Sequence, residues 1–166
     1  MEQLKTPEEI LAFKLGKALT MEAGDLDMLG EFVENAQRQE LKDFFTEHQE
    51  QTRAQADRLR KVFELLGLNA KEETAPALTG LAKEGRTAMT NTAEELVDSV
   101  ILASALAAEY YEVAAYESLI TMVQAQGETE VAALLQESLD EERQTIARAQ
   151  KLAEAVAKES AGVAAK

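Results

Sequence analysis

The stretch from Ala107 to Leu119 reads AAEYYEVAAYESL, and it puts a carboxylate where a buried helix should be apolar. It is rich in Ala and free of Gly and Pro, so it should be helical. On a helix, Leu102, Leu106, Glu109, Val113, Tyr116, Ile120 and Val123 share one stripe. Glu109 is its one acid, and Glu112 sits at its edge. A buried carboxylate is costly unless something positive neutralises it. No Lys or Arg occurs between Arg86 and Arg143, so the neutralising charge is not local. A cation shared by carboxylates from several helices is one answer. A buried salt bridge or a protonated Glu is the other.

The other long helices repeat the pattern. Thr6-Pro7-Glu8-Glu9 is a helix start, with Thr as cap, Pro at the first position and acids in the first turn. The helix that follows should end near Asn35 to Gln39. It carries Phe13 or Leu15, Leu19, Glu22, Leu26, Leu29 and Val33 on one stripe. Gly16, Gly24 and Gly30 weaken it, which close packing against a neighbour would explain. A second helix, from about Glu40 to Leu66, places His48, the only histidine, among Leu41, Phe45, Thr52, Gln55, Leu59 and Val62. Gly67 stops it. Residues 67–92 form a long connection with a short helix predicted from Pro76 to Met89. Thr92-Ala93-Glu94-Glu95 resembles a capping box for a helix running to about Gln126. The last helix is predicted over Thr129–Lys158, with Leu135, Leu139, Glu142, Ile146, Ala149, Ala153 and Val156 in a row and Glu141 beside it. Residues 160–166 read as a frayed tail.

Composition removes several classes of function. The chain of 166 residues fits one domain, here taken as 1–166. With no cysteine there can be no disulfide, thiolate site, iron–sulfur cluster or Cys nucleophile. Seventeen basic residues against 31 acidic ones give a net charge of −14, which argues against nucleic acid and anionic membranes as partners. No signal peptide and no membrane span is visible, so a cytoplasmic location is the expectation. One histidine and no nucleophile elbow leave little for a hydrolytic triad, and no phosphate-binding loop is present.

Four long helices thus each bring an acid or His to an apolar stripe near mid-helix: Glu22, His48, Glu109 with Glu112, and Glu142 with Glu141. Dinuclear carboxylate centres in four-helix bundles draw Glu from two helices and a Glu/His pair from each of the other two. Oxygen and imidazole donors suit iron, manganese or zinc. The long connection between the second and third long helices fits the single crossover of a ferritin-like bundle.

The chain also resembles the YciE/YciF-type stress proteins of the ferritin-like superfamily. The matching segments are TPEEIL, Met21-Glu22, ELKDFFTEHQEQT, VFELLG, ALTGLAKEG, EYYEVAAY and LLQESLDEER, in collinear order over nearly the whole chain. The resemblance implies an all-α fold, a ferritin-like four-helix bundle whose long crossover carries a short extra helix. It also implies a homodimer and a dimetal centre. Three positions depart from the family pattern. Gln51 stands where Glu is common, Ile146 where Asp is frequent, and Tyr110 where His is frequent. Gln is a poorer ligand than carboxylate and Ile is none, so the site could be mononuclear, weak or lost.

Two readings follow. In the first, a stress-response metalloprotein binds iron, manganese or zinc at Glu22, His48, Glu109, Glu112 and Glu142, with Glu141 as an outer ligand. Any turnover would be oxidation of Fe(II) by dioxygen or peroxide. In the second, a metal-free bundle acts by dimerisation or partner binding, its buried acids protonated or paired with Arg53, Arg58 or Arg143.

Overall fold

Thr6 caps the first helix as its sequence predicts. Its hydroxyl accepts from the Glu9 amide at 3.2 Å, while the Glu9 carboxylate accepts from the Thr6 amide at 3.3 Å. The computed structural model describes residues 3–163. Its α-helices are α1 (Pro7–Asn35), α2 (Gln39–Leu65), α3 (Pro76–Thr90), α4 (Val97–Ala125) and α5 (Thr129–Val163), with no strand among the described residues.

The turns and ion pairs fix the direction of each helix. Three-residue turns join α1 to α2 and α4 to α5, so each pair is an antiparallel hairpin. Asp98, at the start of α4, accepts from the Gln37 amide at 2.8 Å in the α1–α2 turn. Arg38 of that turn reaches Glu159, near the end of α5, at 2.7 Å. The start of α4 and the end of α5 therefore lie at the α1–α2 turn. The crossover, which includes α3, carries the chain back along the bundle, leaving α2 and α4 parallel. The helices pack in the cycle α1–α2–α5–α4, with α3 laid over α1 and α4. This is a four-helix bundle with one long crossover.

Glycines do two jobs here. Gly67 and Gly127 adopt φ of 65° and 79°. Each lets the next amide reach back to the helix, Leu68 to the Phe63 carbonyl at 2.9 Å and Glu128 to Val123 at 3.0 Å. On α1, Gly16 and Gly24 admit the crossover. A Cβ at Gly16 would collide with the Lys71 carbonyl, and one at Gly24 would lie 2.8 Å from Leu78. Gly30 meets only the Gln49 side chain at 3.6 Å. Gly16→Ala should therefore cost about 1–3 kcal/mol in urea unfolding, because backbone must move. Gly30→Ala should be neutral or stabilising by up to about 1 kcal/mol. Equal effects at the two positions would contradict this packing.

Two helix boundaries differ from the sequence reading. The capping box at Thr92 does not form. Its hydroxyl instead donates to the Ala88 carbonyl at 2.7 Å, a 3-10 turn covers Glu94–Leu96, and α4 begins at Val97. Helix α5 runs past Lys158 to Val163, its last turns tied down by Glu159 and Arg38. Residues 160–163, expected to fray, are helical; 164–166 lie outside the described residues.

Helix α4 is also buried on more than one stripe, because α1, α3 and α5 pack on different sides of it. Ala105, Ala108, Glu112 and Leu119 are as buried as Leu102 and Tyr116. Glu112, expected at the edge, is fully inside.

Candidate metal centre

Midway along the bundle, five carboxyl groups and one imidazole meet. Glu22 and Asp25 come from α1, His48 from α2, Glu109 and Glu112 from α4, and Glu142 from α5. None is more than 1% exposed. Each lies on its helix's buried face, and the spacing of three in Glu22/Asp25 and Glu109/Glu112 turns both members inward. They form two groups. In Asp25, His48 and Glu109, and again in Glu22, Glu112 and Glu142, one donor atom from each residue lies within 4.8 Å of the others. Each group spans three helices, and α1 and α4 contribute to both.

His48 is the only nearby base. Its Nε2 lies 2.8 Å from Glu109 Oε1 and 3.9 Å from Asp25 Oδ2, while Nδ1 lies 3.3 Å from Gln51 Oε1. Tyr116 donates a hydrogen bond to Glu22 Oε1, and Thr52 donates to Asp25 at 3.4 Å. Among the described residues no donor group satisfies Oε2 of Glu22, Oε2 of Glu109 or either oxygen of Glu112 and Glu142, and Glu142 lies carboxyl to carboxyl with Glu109. Arginine does not reach them. Arg53 pairs with Glu50 at 2.6 Å, Arg58 with Glu141 at 2.6 Å, and Arg143 with Glu117 at 2.7 Å.

Crowding and burial show in the proton affinities. Burial, with lesser repulsion from Asp25 and Glu109, raises Glu22 from 4.5 to about 8. Burial and the Glu109 charge raise Asp25 from 3.8 to about 7. Burial drives Glu112 and Glu142 well above the usual carboxylate range, and their acidic neighbours add to it. Burial alone would depress His48, but Glu109 and Asp25 prevail and lift it from 6.5 to about 9.

The donor set fits a divalent metal. Buried carboxylate oxygens without hydrogen-bond donors are costly, and ligation is one way to satisfy them. One imidazole with carboxylates suits iron, manganese or zinc.

Of the residues singled out from sequence, Glu22, His48, Glu109, Glu112 and Glu142 are brought together. Glu141 is not. It points out of the cluster, held by Arg58 at 2.6 and 2.8 Å and by Gln55 at 3.1 Å, as a tie between α2 and α5. Asp25 escaped the sequence reading because it lies on the next stripe, with Met21, Met28 and Phe32. Its signal was present in Glu22-x-x-Asp25, which repeats the spacing of Glu109-x-x-Glu112. Gln51 hydrogen-bonds His48, Ile146 is buried, and Tyr110 is exposed beside Gln150.

Residues 6–162 match the family model described as "Domain of unknown function (DUF892)". The chain belongs to this family. Protein YciF of Escherichia coli (strain K12) is 29% identical over 144 residues, 86% of this chain and 87% of that protein. The crystal structure of the E. coli stress protein YciF matches with a TM-score of 0.89 at 28% identity, covering 93% of this chain and 99% of that one. YcfI from Rhodopseudomonas palustris matches with a TM-score of 0.86 at 30% identity, over 90% of this chain and 96% of the other. Ferritin-like, diiron-carboxylate proteins from Bacillus anthracis share the fold, with a TM-score of 0.69 at 17% identity, over 90% and 99%. None of the described helices is long and apolar enough to cross a membrane.

Proposed function

We propose that this DUF892 protein is a ferritin-like metalloprotein of the stress-response type, binding divalent transition ions inside its bundle. The unpartnered carboxylate oxygens of Glu22, Glu109, Glu112 and Glu142, beside the one buried imidazole, carry the reading. Asp25, His48 and Glu109 would hold one ion, and Glu22, Glu112 and Glu142 a second. Bound iron would supply oxidation of Fe(II) by dioxygen or peroxide. The chain's own part is to position donors on rigid helices and exclude water. Tyr116 orients Glu22, and Gln51 orients the His48 ring. Among the relatives named above, E. coli YciF is the one described as a stress protein, and it supports the physiological half of the proposal.

Elemental analysis after equilibrium dialysis against Fe2+, Mn2+ or Zn2+ tests it. Wild type should retain stoichiometric metal, and Glu109→Ala should lose most of it. Wild type that retains none would sink the proposal. The raised carboxyl pKa values favour a second reading, a metal-free bundle whose buried acids are protonated. It predicts no metal retention and no metal-dependent melting.

A symmetric homodimer belongs to the same proposal, motivated by the family resemblance and by the prevalence of two-fold dimers. Light scattering at tens of micromolar should give twice the 18.2 kDa chain mass. A monomer mass would remove that part alone.

A further inference from the structure

The two donor groups differ in chemistry. The chain has one histidine and no cysteine, so only one group can contain a nitrogen donor and neither a thiolate. In the first group, Nδ1–H donates to Gln51 Oε1, so Nε2, which lies 2.8 Å from Glu109 and 3.9 Å from Asp25, is the nitrogen that would give up its proton to an entering ion. The second group is built of oxygen alone. Both oxygens of Glu112, and Oε2 of Glu22, are buried and among the described residues have no hydrogen-bond partner, and Glu142 has only acids beside it. The charges differ as well. Neutral His48 with two carboxylates balances one divalent ion. Three carboxylates exceed it, and the Tyr116 hydroxyl on Glu22 offsets part of that excess. Imidazole favours zinc, iron and their neighbours, whereas all-carboxylate sites suit manganese and magnesium.

We propose that the bundle holds a mixed-metal pair: a borderline transition ion such as Zn2+ or Fe2+ at Asp25, His48 and Glu109, and a harder ion such as Mn2+ at Glu22, Glu112 and Glu142. This rests on the metal-binding reading above and adds an identity to each half. Zinc exceeds manganese in affinity for nearly any such site, so the claim concerns the ratio between halves. Zinc's advantage is larger where the imidazole is.

The test is competitive loading. Stripped protein receives one equivalent of Zn2+, then excess Mn2+, and is desalted. The expected product carries one of each ion per chain. Its manganese EPR spectrum should be that of isolated ions, without the exchange coupling of a manganese pair. His48→Gln should lose the zinc preference and still take up manganese. Glu112→Gln should keep zinc and lose manganese. Cadmium NMR on wild type with nitrogen-labelled histidine is independent of any variant's folding. It should show two resonances, one of them split by the imidazole nitrogen. Zinc spread evenly over both halves, coupled manganese pairs, or a single cadmium resonance would overturn the inference while leaving metal binding intact. No uptake of any ion would overturn both.

Discussion

Stripped protein at about pH 8 should melt well below the same protein supplied with Mn2+, Fe2+ or Zn2+, and chelator should reverse the difference. An ion that binds only the folded state, at a thousand times its dissociation constant, contributes about 4 kcal/mol. For a chain of this size each kcal/mol moves the midpoint by roughly 2–4 °C, so one filled group is worth roughly 10 °C. The apo protein carries the opposing penalty. Folded-state pKa values rise from 4.5 to about 8 at Glu22, from 3.8 to about 7 at Asp25 and from 6.5 to about 9 at His48. Each group then holds in the folded state a proton that the unfolded chain has released. That stabilisation is complete below the unfolded pKa and is lost as pH climbs through the folded one. All three act in the same direction, so apo stability should fall steadily between about pH 4 and 9. Protons compete for the same ligands, so the metal-induced shift should shrink at pH 5. Thermal scans at the two pH values, with metal or with chelator, measure both effects. A stripped protein that gains stability from pH 5 to 8 would contradict the electrostatic account.

Glu112→Leu is expected to stabilise the apo protein at pH 8, an unusual result for a substitution at a candidate binding site. Glu112 is fully buried, neither oxygen has a hydrogen-bond donor, and its neighbours Asp25, Glu22, Glu142 and Glu109 are all acids. Exchanging such a group for an aliphatic side chain of similar volume removes repulsion without orphaning a partner, and should gain about 1–4 kcal/mol. The gain should be smaller at pH 5, where Glu112 is protonated at little cost. Glu109 is a poorer choice, because its removal would leave the His48 imidazolium without its 2.8 Å partner. Urea unfolding at both pH values reports the gain. Thermal scans with metal should show the variant's metal-induced shift reduced or gone. Destabilisation at pH 8 would mean that Glu112 is held by interactions other than a missing cation.

Much of the bundle is legible in the sequence because the stripes repeat at helical spacing and the punctuation is strong. Thr6, Pro7, Gly67 and Gly127 mark helix ends through backbone chemistry that needs no tertiary information. Glu22, His48, Glu109 and Glu142 stand out because each breaks an apolar row. What stays hidden depends on neighbours. Asp25 lies on a second inward stripe that becomes visible only once α1 is seen packed by α2, α3 and α4. Glu112 reads as an edge residue until α4 proves to be covered on several sides. Glu141 reads as an outer ligand, and only the fold shows that it pairs with Arg58, 83 positions away in the chain. Thr92 has the composition of a cap, yet the preceding turn of α3 takes its hydroxyl. For Asp25, Glu112 and Glu141 a long-range contact decides between two locally equal roles, whereas at Thr92 the choice is made within one helical turn.

The central claim is that the carboxylates and His48 converge to hold metal. The most direct measurement is an anomalous-difference map from crystals grown with Mn2+ or Fe2+. The account predicts strong density inside the bundle, about 2.0–2.2 Å from His48 Nε2 and from oxygens of Asp25 and Glu109, with a second peak among Glu22, Glu112 and Glu142. Anomalous density confined to surface acids, with the buried carboxyls in mutual contact, would contradict it.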